Sequence, residues 1–216
     1  MSPPGSDPDH DRRAKILEAA LEVCQRHGVE GARMEEVAAR AGVSKGTLYR
    51  YFKNKEELLL ATVIDSYQQN LPLFDAAADP TSDPRHRLDA LLDGTTKVLA
   101  AVAPRMSVHY QAWGIVARDP GLKERLEDFL RSFHTAIRNT LVETIREGQA
   151  LAVFDGAADA ATFADAIQAL LSGFLYRTTF EPERATPDEL RKTLDALVRG
   201  ALLIDAAEDS EEVGHD

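Results

Sequence analysis

The chain has 216 residues, 44% of them hydrophobic, and its 25 Lys/Arg stand against 36 Asp/Glu for a formal net charge of -11. That is enough apolar material to bury one large core, or a small domain plus a larger one, which points to a globular protein. The single cysteine, Cys24, excludes an intramolecular disulfide and a cysteine-rich zinc site.

The opening stretch MSPPGSDPDHDRR carries Pro, Gly and acids before its basic pair and no apolar run after it, so it is not read as a signal peptide. The longest aliphatic clusters, such as LLLATVI at 58–64, fall far short of the roughly 20 residues that span a bilayer. A soluble, cytoplasmic protein is expected. Charge is unevenly placed: residues 1–60 hold ten Lys/Arg and ten Asp/Glu, and residues 61–216 hold fifteen against twenty-six, so the whole acidic excess lies in the C-terminal portion. Between Arg40 and Lys55 there are five basic residues and no acid. Charges that merely solvate a helix face usually alternate in sign, so a one-sign cluster suggests a polyanionic partner, and the acidic remainder would help turn that basic face toward it.

Apolar positions recur at helical spacing almost throughout, and no alternating β-branched run is long enough to argue for a strand, so the chain reads as all-α. The first helix is expected over about 11–27, with Leu17, Ala20, Leu21 and Cys24 on one stripe and Gly28 as its left-handed stop. On that buried stripe Cys24 reads as a small hydrophobe rather than a redox sensor. A short second helix, about 34–41, buries Met34, Val37, Ala38 and Ala41, and Gly42 turns the chain. Ser44 is a good N-cap for a third helix through Phe52, because its hydroxyl can accept an orphan backbone N–H. Asn54 caps a fourth, and Glu57 three residues later completes a capping-box pattern.

Two short helices joined by a glycine turn form a helix-turn-helix whose second helix can enter a major groove. On it Leu48, Tyr51 and Phe52 form the inward stripe, leaving Lys45, Thr47, Tyr49 and Arg50 pointing outward. Lys and Arg donate to guanine or phosphate, Thr offers a hydroxyl and a methyl, and Tyr donates to phosphate oxygens. Gly46 inside this helix costs about 1 kcal/mol relative to Ala, which calls for a close approach there, either by DNA or by the first helix. Lys55 opens the fourth helix, badly placed for its own helix dipole, and it makes sense if it holds a phosphate together with helix-terminal N–H groups.

The stretch ILEAALEVCQRHGVEGARMEEVAARAGVSKGTLYRYFKNKEELLLATV resembles the DNA-binding region of the TetR family of bacterial transcriptional regulators, over roughly residues 12–63. Order, spacing and turn residues agree across three helices. The resemblance implies a homodimer that binds a palindromic operator, usually as a repressor, and is released when a small ligand enters a divergent C-terminal domain. It places Lys45, Thr47, Tyr49 and Arg50, with Gly46 among them, on recognition-helix contact positions, and Ser44 and Lys55 on phosphate-contact positions. Where the family commonly opens the second helix with Thr or Ser, this chain has Ala32 and Arg33, so Arg33 is expected to replace the hydroxyl with a longer reach to phosphate.

Further helices are expected at about 55–78, 85–103, 105–117, 120–148, 159–180 and 187–207, with prolines 80, 84, 104, 120 and 187 at breaks and helix starts. The resemblance pairs the last two helices with their mates in a four-helix dimer interface. Phe163, Ile167, Leu170, Leu171 and Phe174 form one stripe, and Leu190, Leu194, Leu197, Val198 and Ala201 the other; periodicity alone equally allows an intramolecular core. His109, Tyr110, Trp113, Phe129, Phe133 and His134 concentrate aromatic and polar groups on the two middle helices, where the family usually has its cavity. Apolar walls with a few polar anchors suit a lipophilic or aromatic effector; the alternative is that Trp113 and the two Phe fill core. Tyr176 and Arg177 suit either an anchor for an acidic group or the dimer rim, and the rim is preferred. No metal or cofactor is expected.

The chain is thus divided into a disordered arm (1–10), a DNA-binding domain (11–54), an effector and dimerisation domain (55–207) and a disordered acidic tail (208–216). A helical enzyme using His109 or His134 as general base is the other class of function, but no nucleophile elbow, phosphate-binding glycine loop or metal-ligand pair accompanies either histidine.

Overall fold

The structure is a computed structural model that describes residues 8–79 and 81–203, and among these no strand occurs. The helices are α1 (Pro8–Gly31), α2 (Met34–Arg40), α3 (Lys45–Tyr51), α4 (Lys55–Gln68), α5 (Pro84–Val102), α6 (Met106–Val116), α7 (Pro120–Ala150), α8 (Ala160–Arg177) and α9 (Pro187–Ala201). Two short 3-10 segments, Leu71–Ala78 and Ala103–Arg105, connect α4 to α5 and α5 to α6. Residues 1–7 of the expected arm and the expected acidic tail lie outside the described residues. Residues 8–10, expected in the disordered arm, are helical and open α1.

Packing divides the chain into two compact units, one holding Met1–Leu71 with Ala101–Phe133 and the other holding Pro72–Ala100 with His134–Asp216. This differs from the expected boundary after residue 54, because α4, α6 and the first part of α7 share a core with the helix-turn-helix. In that core Ile16, Leu17, Cys24 and Val29 of α1 meet Val37 and Ala38 of α2, Leu48 of α3, Leu59 and Val63 of α4, and Val108 and Val116 of α6. Cys24 is buried there and burial pushes its thiol up to about 11, so it stays a protonated apolar side chain at neutral pH.

Local chemistry explains the boundaries. Gly28 adopts φ 73°, which interrupts α1 where the stop was expected, although hydrogen bonding resumes and carries the helix on to Gly31. The fourth helix is shorter than read: it ends at Gln68, where the Asn70 side-chain amide donates to the Ser66 carbonyl, and a 3-10 segment follows. Pro72 accounts for the change, since it lacks an N–H and disfavours helical geometry at the residue before it.

In the second unit Leu88, Leu91 and Leu99 of α5, Leu141 and Ile145 of α7, Phe154 in the segment after α7, Phe163 and Ile167 of α8, and Leu190 and Leu194 of α9 are buried. Arg87 is ion-paired with Glu147, and Arg138 grips Asp165 through two bonds of 2.5 and 3.3 Å. A Cβ built on Gly148 would lie 2.2 Å from the buried Phe154 ring, closer than any real contact. Gly148→Ala is therefore expected to lower stability by about 1–3 kcal/mol, the usual cost of overpacking, read as a lower denaturant midpoint at unchanged slope; an unchanged midpoint would show that the ring has room to move.

Candidate nucleic-acid interface and effector region

The helix-turn-helix is built by its caps. Ser44 Oγ accepts the Thr47 N–H at 3.0 Å and lies 2.9 Å from Thr47 Oγ1, fixing the start of α3. Gly42, at φ 68°, makes the turn before it. Asn54 Oδ1 accepts the Glu57 N–H at 2.8 Å, and the Glu57 carboxylate accepts the Lys53 N–H at 2.9 Å, so the box closes at the start of α4 as the spacing predicts. Arg33 sits in extended backbone at the N-cap of α2 with no side-chain cap bond, leaving its exposed guanidinium available to an outside anion.

Leu48 is fully buried and Phe52 nearly so, which braces α3 from behind. Tyr51 is half-buried against the same core and its hydroxyl donates to the Asp9 carboxylate. Lys45, Gly46, Tyr49 and Arg50 are exposed and Thr47 is partly exposed. Gly46 decides between the two close approaches considered: a Cβ there would meet only Ser44 Oγ, at 3.9 Å, so the first helix is not what requires glycine.

Acids crowd the exposed cations of the helix-turn-helix. Lys45 Nζ lies 2.5 Å from a Glu35 carboxylate oxygen of α2, Arg50 lies 3.7 Å from Asp9 of α1, and Arg40 is ion-paired with Glu22. The Glu35 carboxyl is held below its ordinary value by its hydrogen bond from Lys45, and Lys45 is raised in return. The Lys55 ammonium, expected at a phosphate, donates to the Glu30 carbonyl at 2.8 Å. That carbonyl belongs to the last turn of α1, where backbone acceptors lack helical partners, so Lys55 first of all closes the end of α1.

In the same unit Tyr67, a residue not singled out from the sequence, gathers three of the expected effector residues. Its ring stacks on His109 at 6.0 Å and meets Phe129 and Phe133 edge-on at 6.1 and 5.2 Å. Tyr110 and Trp113 pair edge to face at 5.4 Å. His109 is completely buried, neither of its ring nitrogens has a hydrogen-bond partner, and the buried Trp113 Nε1 has none either. Burial, aided by the nearby Arg105 charge, pushes His109 down to about 4, so the imidazole is neutral at pH 7 with one donor and one acceptor. His134 belongs to the other unit and is exposed.

The expected interface stripe also needs correction. Phe163, Ile167, Phe174, Leu190 and Leu194 are at most 7% exposed within the single chain, so they fill its own core and have almost no surface left for a second copy. Leu170, Leu171, Leu197 and Val198 are half-buried and Ala201 is exposed. The large apolar side chains left open on the same helix and just beyond it are Tyr176 at 57% and Phe180 at 67%, their rings 5.1 Å apart.

A braced helix that presents Lys45, Thr47, Tyr49 and Arg50 after a glycine turn is the arrangement of a helix-turn-helix. Residues 16–62 match the profile of the bacterial regulatory proteins of the tetR family, and residues 84–203 match that of the C-terminal domain of BetI-type transcriptional repressors. The chain belongs to the TetR family. It is 36% identical over 88 residues to the transcriptional repressor KstR of Mycolicibacterium smegmatis, an alignment covering 41% of this chain and 43% of that one. Over 210 residues, 95% of this chain and 99% of the relative, it is 27% identical to the transcriptional regulator YfiR of Bacillus subtilis. A transcriptional regulator from Saccharomonospora viridis, solved in complex with choline, superposes with a TM-score of 0.73 at 23% identity, covering 90% of this chain and 99% of that one, and shares the fold. All are regulators, and this chain is a regulator rather than an enzyme. Among the described residues no helix is long and apolar enough to cross a membrane, and no cluster of potential metal ligands occurs.

Proposed function

We propose that the protein is a cytoplasmic homodimeric repressor that binds a palindromic operator and is released by a small lipophilic or aromatic effector. The observation that carries the reading is the recognition helix, buried through Leu48 and open through Lys45, Gly46, Thr47, Tyr49 and Arg50. Two such helices spaced roughly 34–36 Å apart read successive major grooves, which requires a second copy; the exposed Tyr176 and Phe180 supply an apolar patch of the kind that marks a protein contact. The effector reading rests on the rings of Tyr67, Phe129 and Phe133 beside the unpartnered His109 and Trp113 nitrogens, apolar walls with a few polar anchors. A neutral His109 and a donor-only Trp113 favour an effector with an uncharged hydroxyl or carbonyl group. Ring faces also attract quaternary ammonium groups, and the choline carried by the structural relative makes that the second reading.

The test is selection of bound duplexes from a random DNA library. A palindromic consensus is expected, and the Thr47→Ala/Arg50→Ala variant should lose its preference, since each good base contact is worth about 1–3 kcal/mol of discrimination. No enrichment by a folded, dimeric protein would overturn the reading. With the consensus in hand, acyl or aromatic alcohols and choline are compared by release of the duplex and by thermal stabilisation, which any ligand of the folded state must produce.

A further inference from the structure

The DNA-reading cations are not free in the unbound chain, and this bears on how the protein would reject the wrong DNA. Glu35, in the first turn of α2, reaches across the turn to Lys45, and Asp9, near the start of α1, faces Arg50 and accepts from Tyr51. All four charged side chains of these pairs are more than half exposed, so the pairs add little to the fold. Their positions matter more. A carboxylate 2.5 Å from the Lys45 ammonium stands well inside a Debye length, about 8–10 Å at ordinary salt, of whatever phosphate or base edge Lys45 engages.

Non-specific binding draws almost all its free energy from cations meeting phosphates and releasing counterions. A cation already matched with a carboxylate releases less, and the displaced carboxylate is then left facing phosphate. At a correct site the same cation gains a base-edge contact that offsets the lost pair. An acid held beside a base-reading cation therefore penalises wrong sequences more than right ones, which is specificity obtained by repulsion.

We propose that Glu35 and Asp9 are specificity-determining residues, each holding a recognition-helix cation, Lys45 and Arg50 respectively, in an ion pair that non-operator DNA does not repay breaking. The proposal rests on the sequence-specific DNA-binding reading above. Neither acid was visible as a partner in the sequence, since ten residues separate Glu35 from Lys45 and forty-one separate Asp9 from Arg50.

The experiment uses full-length protein, wild type and the variants Glu35→Gln, Asp9→Asn and their double, with Glu143→Gln as an exposed acid in the other unit that gives the same charge change away from α3. Binding to a fluorescent random-sequence duplex of about 30 base pairs, and to the selected consensus duplex, is measured across a salt series; a salt dependence set by counterion release makes the slope a count of phosphate-engaged cations. Each single variant is expected to bind the random duplex about threefold more tightly and the double about tenfold, the size of effect an exposed charge pair supports. The slope should steepen by about one for each cation released per subunit, and the consensus-to-random ratio should fall at least threefold, while Glu143→Gln changes none of these. Unchanged random-duplex affinity and slope would overturn the proposal, as would an equal effect from Glu143→Gln. Loss of consensus binding alone would overturn it too, by making the acids base readers. If wild type enriches no consensus, the parent reading fails; a consensus with unchanged slopes removes the acid filter alone.

Discussion

Acidification from pH 7 to pH 4 is expected to remove about 3 kcal/mol of stability through His109 alone. Its imidazole is completely buried, has no hydrogen-bond partner on either nitrogen and stacks on Tyr67. Burial is the larger cause of its depression from 6.5 to about 4, with Arg105 adding to it. Between those two values the unfolded chain binds a proton that the folded chain refuses, so stability rises with pH across that window. The contribution is fully present above pH 6.5, falls through the window and is gone below pH 4; each unit of difference corresponds to 1.36 kcal/mol. Carboxylates held low in the folded state, such as Glu22 and Asp159, also lose stability in acid, so the informative quantity is the difference from His109→Leu. That variant discards two unsatisfied nitrogens, and its advantage over wild type should widen as pH falls from 6.5 to 4 in denaturant unfolding. Parallel pH curves would mean that the ring is protonated in the folded state and has a partner there.

Gly46→Ala is expected to separate folding from DNA binding. The added methyl meets nothing closer than Ser44 Oγ at 3.9 Å, and glycine in a helix interior is worse than alanine by about 1 kcal/mol. The variant should therefore unfold at the same or a higher denaturant concentration, with a gain of at most about 1 kcal/mol because the site is in the first turn of a seven-residue helix. DNA affinity should move the other way, by about tenfold or more, equivalent to about 1.4 kcal/mol, if the space left by the missing Cβ admits a DNA backbone as proposed. Equal or tighter binding by the alanine variant would show that the glycine is unrelated to DNA contact.

The helix-turn-helix was legible because every signal in it is local. Ser44 caps Thr47 three residues away, Asn54 and Glu57 close their box at the same spacing, and Leu48 and Phe52 lie on one face of one short helix. Most boundaries of the later helices followed for the same reason; the exceptions are the end of α4, which Pro72 stops early, and that of α9, expected to run to 207 but ending at Ala201, where Leu202 leaves helical geometry at φ -126°. The effector cluster was half legible. His109, Phe129 and Phe133 stood out by type, but Tyr67 lies more than forty residues earlier on another helix, where nothing local marks it, while His134, adjacent to Phe133 in sequence, is exposed. Of the apolar stripes on α8 and α9, Phe163, Ile167, Phe174, Leu190 and Leu194 are covered within the chain itself, a choice the sequence left open, since periodicity reports that a face is covered without reporting by what.

By itself the sequence determined the all-α class, the capped recognition helix and membership of a regulator family, because caps, turns and helical periodicity act over three to seven residues and are written in that order along the chain. Only the tertiary structure decided that Lys55 serves the Glu30 carbonyl, that Glu35 and Asp9 face Lys45 and Arg50, that Phe163 and Leu190 belong to the chain's own core, and that Gly148 must stay bare beneath Phe154. Those facts depend on which surfaces fold against one another. The Coulomb and packing terms that set them act through space between residues whose separation along the chain carries no periodic mark.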